Sequence, residues 1–119
     1  MSRTTPNNIE SLPPTGIFVF GSNREGQHGG GAAYTALVRF GAIMGVGEGL
    51  QGQSYGLPTM EGIESFRLAA SRFIAFARER PDLEFWLTKV GCGIAGYSEE
   101  DVRAMFADTP GNVIKPPGW

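Results

Sequence analysis

Four apolar residues in a row, Ile17-Phe18-Val19-Phe20, stop at a glycine, and helical spacing begins only beyond Gly31. A continuous apolar run this short reads as a strand buried on both faces. Ala33, Ala36, Leu37 and Phe40 then fall three or four apart, which is one helical face, and Gly41 suits its C-terminal stop. The same alternation recurs along the chain. Ser54 to Thr59 reads as a strand, with Pro58 at its end because proline cannot donate to a ladder. Ile63, Phe66, Ala70, Phe73, Ile74 and Ala77 mark the longest helix, which ends before Pro81. Glu84 to Val90 reads as a third strand. Ser98-Glu99-Glu100-Asp101 has capping-box spacing and opens a helix carrying Val102, Met105 and Phe106. Asn112 to Ile114 is a last short strand, and residues 41 to 53 read as a glycine-rich loop. Strands alternating with helices imply an α/β fold: a mostly parallel sheet with helices on both faces.

Composition narrows what such a fold is for. One hundred and nineteen residues suit one domain, here 15–119, behind a polar, proline-bearing leader at 1–14 that is expected to be loose unless something ties it down. The leader has no apolar h-region, and no apolar run approaches the ~20 residues of a membrane span. A net charge of -2 with scattered basic residues shows no nucleic-acid footprint. The single cysteine excludes an internal disulfide, so a soluble cytoplasmic protein without membrane contact is expected.

The outlier is glycine, with 18 residues clustered between positions 21 and 62 and again at 91 to 96. Both clusters follow strand carboxyl ends, where ligands bind in open α/β sheets. Gly29-Gly30-Gly31 stands where a helix begins, and missing Cβ atoms would let an anion reach its free N–H groups. The same argument is open to Gly91 through Gly96, ahead of the helix opened by Ser98. Two such loops side by side suit a diphosphate; the alternative is that the glycines only permit tight turns and close packing. A Walker A loop is absent. Gly91-Cys92-Gly93-Ile94-Ala95-Gly96 matches G-x-G-x-x-G, but the acid a dinucleotide fold needs ~20 positions later has no counterpart, Asp108 being the nearest.

Taken together, "FVFGSN…HGGGAA", "YGLPT" and "VGCGIAGYSEEDV" resemble the macrodomain, the ADP-ribose-binding module, over residues 17 to 114. The resemblance is to a small, divergent member of bacterial or phage type. It implies a three-layer α/β/α fold with a mostly parallel, mixed central sheet. It also implies a cleft for ADP-ribose or a related NAD-derived nucleotide, free or carried on protein or nucleic acid, with no cofactor and no metal. By position, Asn23 would contact the ribose next to the linking bond. Gly29, Gly30 and Gly31, with Ala32, would line the distal ribose and diphosphate. Gly91, Cys92, Gly93, Ile94, Ala95 and Gly96 would present amides to the diphosphate, and Tyr97 would cover the distal ribose. Gly21, Ser22 and Thr59 end strands on the ligand side, where Thr59 offers a hydroxyl. Two departures stand out: Ala32-Ala33-Tyr34 lacks the aspartate of one hydrolytic class, and Pro58 to Glu61 lacks the lysine of another.

Three readings of function follow. The first is an ADP-ribose binder. The second is an ADP-ribosyl hydrolase, in which Asn23 or His28 would hold the attacking water. His28 is the only histidine, with a free pKa near neutrality; its alternative is a loop residue bonding backbone. Asn23 has the alternative of closing an Asx-turn. Cys92 is either a nucleophile at a helix N-terminus or a small buried thiol. The third reading is an interaction module whose patch is Ile43, Met44, Val46 and Leu50.

Overall fold

A computed structural model describes residues 4–6, 9, 11–93 and 95–119. In chain order the elements are β1 (Gly16–Ser22), α1 (Gly31–Arg39), β2 (Gly49–Gln51), β3 (Ser54–Pro58), α2 (Ile63–Glu79), β4 (Glu84–Leu87), α3 (Glu99–Met105) and β5 (Val113–Ile114). The sheet order is β2-β3-β1-β4-β5. β1 pairs in parallel with β3 and β4, and β4 with β5, while β2 runs antiparallel on β3. The chain is thus a compact α/β fold with a five-stranded mixed sheet.

β1 organises the core because alternate residues on a strand face opposite ways. Ile17 and Val19 enter one cluster with Phe66, Phe73 and Ala77 of α2, Phe85 and Leu87 of β4, and Val102 of α3. Phe18 and Phe20 enter the other with Ala33 and Ala36 of α1 and with Phe40. The apolar run is continuous because helices cover both faces of the strand. Phe66, Phe73, Phe85 and Phe106 are fully buried, each worth about 1.5–3 kcal/mol before chain entropy is charged against it.

β2 is the one strand with no counterpart in the expected elements. It is three residues long and pairs Leu50 opposite Tyr55, and the Gly52-Gln53 turn returns the chain into β3. The third strand stops at Leu87, short of the expected Val90, because Val90 N–H turns back onto Thr88 O at 2.8 Å. The leader is held at its described positions. Thr5 Oγ1 donates to Ile114 O (3.0 Å), Thr5 N–H donates to Lys115 O (2.8 Å), and Ile9 is buried in the α1 cluster. No helix among the described residues is long and apolar enough to cross a membrane.

Candidate functional site

The strand order places β1 between β3 and β4, so the loops leaving their carboxyl ends meet. A Cβ built on Gly21 at the end of β1 would stand 3.5 Å from the amide nitrogen of Gly91. The two glycine loops border one cleft of about 300 Å³, at the low end of the range for small-molecule sites. Of the residues singled out in the sequence, Gly21, Ser22, Asn23, Gly30, Gly31, Ala32, Thr59, Gly91, Gly93 and Ala95 line it.

On the first side, Asn23 closes the loop after β1. Its Oδ1 accepts from Gln27 N–H (2.9 Å) and its Nδ2 donates to Gln27 O (3.3 Å), so the Asx reading describes its contacts while it also faces the cleft. Gly30 is the N-cap of α1, no side chain caps that end, and no acid stands in its first turn. The positive end of the helix dipole therefore meets neither a capping side chain nor an acid of its own first turn. Among the described residues a Cβ added to Gly29, Gly30 or Gly31 would meet nothing within 4 Å, and of the three only Gly31 has a left-handed φ (59°). Packing against the described residues does not explain the missing side chains at Gly29 and Gly30.

The second loop is built differently. Gly91 has φ 77°, and a Cβ there would come within 2.5 Å of the Phe66 ring, so this glycine is required by the fold itself. Cys92 N–H is spent on Lys89 O (3.3 Å), Gly96 N–H on Gly93 O (3.0 Å) and Tyr97 N–H on Gly91 O (2.9 Å). Ser98 Oγ accepts from Asp101 N–H (3.1 Å), and Glu99, Glu100 and Asp101 fill the first turn of α3. That helix end is capped and already faced by acids, so the anion argument does not extend to it as it does to α1. Of this loop, Gly91, Gly93 and Ala95 face the cleft, and Ile94 lies outside the described residues.

His28, Gly29, Cys92, Gly96 and Tyr97 are not among the residues lining the cleft. His28 is 0 % exposed, its ring edge-on to Phe20 at 5.2 Å and its Nε2 3.0 Å from Val46 O. Cys92 is half-buried and its Sγ donates to Val90 O (3.6 Å). Burial pushes its thiol up, nearby Glu99 adds to this and Lys89 opposes it, the reverse of an activated nucleophile. Tyr97 leans on Phe66 at 5.6 Å, at the edge of the main core.

Sequence reasoning missed Gln27, Ala33, Met60, Thr88, Lys89 and Val90 as lining residues. The last three follow β4 and precede Gly91, so their position between a strand end and a glycine loop was the available signal. Lys89 is the one ionisable side chain among the described lining residues, and none of those residues carries a carboxylate. No group of three or more metal-ligating side chains occurs among the described residues. Compared with family models, curated proteins and solved structures, the chain matches none.

Proposed function

We propose that this protein is a macrodomain-like cytoplasmic module that binds ADP-ribose or a related NAD-derived nucleotide, free or attached to protein or nucleic acid. On this reading the sheet and its helices form the three-layer α/β/α arrangement of that family. One observation carries the proposal: two glycine loops from adjacent parallel strands border a single cleft, with the uncapped N-terminus of α1 on one side. Backbone amides beside Gly30 and Gly31 would hold the diphosphate, and Gly91 and Gly93 would let it approach the second loop. A binder is favoured over a hydrolase because the described lining residues include no carboxylate to act as base and the only histidine is sealed in the core.

The test is calorimetric titration with ADP-ribose, with NAD and AMP as controls, on the wild type and on Gly30→Glu and Gly93→Glu. Neither glycine has a left-handed φ, and an added Cβ at either meets none of the described residues within 4 Å, so both variants should fold. Binding by the wild type that both carboxylates abolish at unchanged Tm is the expected result. Unchanged affinity in both variants, or no heat with the wild type, would sink the reading.

A further inference from the structure

Lys89 is the only residue with a charged side chain among the described residues lining the cleft, and its ammonium is engaged by a carboxylate outside that lining. Its Nζ lies 3.3 Å from Glu99 Oε2. The other oxygen of that carboxylate, Oε1, accepts from Trp119 Nε1–H at 3.3 Å, and the Trp119 ring stacks on the buried Phe106 at 6.2 Å. The indole thus anchors the carboxylate beside the lysine, while Lys89 and Glu99 both remain in solvent contact, with side chains 43 % and 54 % exposed. An ion pair this exposed is weak and exchanges readily for a better partner. A phosphate is such a partner: it offers more acceptor oxygens and more charge, in a cleft with no other cation among its described lining.

We infer that Lys89 is the specificity-determining residue of the cleft, selecting phosphate-bearing ligands over neutral nucleosides, and that Glu99 is its built-in competitor, released when the anion takes the ammonium. The inference rests on the phosphate-binding part of the proposed function, not on the nucleoside, and names the group that supplies the cleft's charge. Glu99 itself does not line the cleft; it is a positioning residue acting through Lys89.

The experiment titrates wild type, Lys89→Met, Lys89→Arg and Glu99→Gln with ADP-ribose and with inorganic pyrophosphate, at two salt concentrations, with adenosine as the neutral probe. Lys89→Met should weaken both anions on the order of tenfold and flatten the salt dependence, and Lys89→Arg should restore most of the affinity. Glu99→Gln should tighten both anions by about twofold to fivefold, the value of a surface pair removed from competition. Adenosine should distinguish none of the four. Equal anion affinity in Lys89→Met and wild type overturns this inference and leaves the nucleotide reading standing. Lys89-dependent pyrophosphate binding without ADP-ribose binding supports the inference and overturns the nucleotide reading. A wild type that binds neither anion overturns both.

Discussion

The Nε2 of His28 and the carbonyl oxygen of Val46 stand 3.0 Å apart, joining the loop that leads into α1 to the loop that follows it. Val46 O can only accept, so Nε2 carries the proton, and Nδ1 has no hydrogen-bond partner among the described residues. Beside this contact Gly45 N–H donates to Gly26 O (2.9 Å), and Gln51 Nε2 donates to Val46 O (3.1 Å). The histidine is a core residue fastening two loops. His28→Ala should therefore lower stability by about 2–4 kcal/mol, measured by urea denaturation. An unchanged midpoint would mean that the two loops hold together without it.

The glycines fall into two kinds, and alanine substitution should separate them. A Cβ on Gly47 would overlap the carbonyl groups of Asn23 and Arg24, because the two loops cross backbone to backbone there. Gly47→Ala should cost about 1–3 kcal/mol in thermal melts, as overpacking does, and should weaken the proposed nucleotide binding by moving Asn23. Gly29→Ala meets none of the described residues and should stay within about 0.5 kcal/mol of wild type in thermal melts. Equal stabilities would remove the distinction.

Tyr55 sets an alkaline limit. Its hydroxyl is pushed up to about 12, chiefly by burial and then by Glu48, with Arg72 opposing. Glu48 is held there by a two-pronged pair with Arg72 at 2.6 and 2.8 Å. The native state keeps the phenol proton after the unfolded chain, with the ordinary tyrosine value of about 10, has lost it. The contribution is therefore intact below that pH and disappears as pH rises towards 12, a loss of about 2–3 kcal/mol. Tyr55→Phe should remove this part of the pH dependence. Parallel stability curves for the two proteins between pH 9 and 12 would refute the assignment.

Asn112 ties the far end of the molecule together. Its Nδ2 lies 2.9 Å from Ala77 O, 2.9 Å from Arg80 O and 3.1 Å from Leu83 O, so one amide serves the end of α2 and the turn into β4. Asn112→Leu leaves those carbonyls without that donor and should cost about 2 kcal/mol. Hydrogen exchange should speed up first at the α2–β4 turn; unaltered protection there would mean that water replaces the amide without loss.

Much of this fold is legible because its signals are local. The apolar run of β1, the spacing of Phe66, Ala70, Phe73 and Ala77, and the offset from Ser98 to Asp101 each report on neighbours within a few residues, and each element forms where its pattern stands. β2 escaped because a three-residue strand bounded by Gly49 and Gly52 is too short to show a period, and only its pairing with β3 makes it a strand. His28 escaped for a related reason. Nothing beside it in the chain signals burial, which depends on Met44 and Val46 folding over it from a separate loop.

By itself, the sequence determined the three helices, the four strands other than β2, and that two glycine loops leave strand carboxyl ends. Their position at strand ends also implied that they converge on one crevice; the tertiary structure decided which strands bring them together, with β1 between β3 and β4, because strand order is a property of long-range pairing. It also decided which groups face that cleft. Gly30 and Lys89 do, while the amides of Cys92 and Gly96 are spent inside their own turn. A residue type states what a group can bond, but whether it is free to bond a ligand depends on what the rest of the chain has already taken.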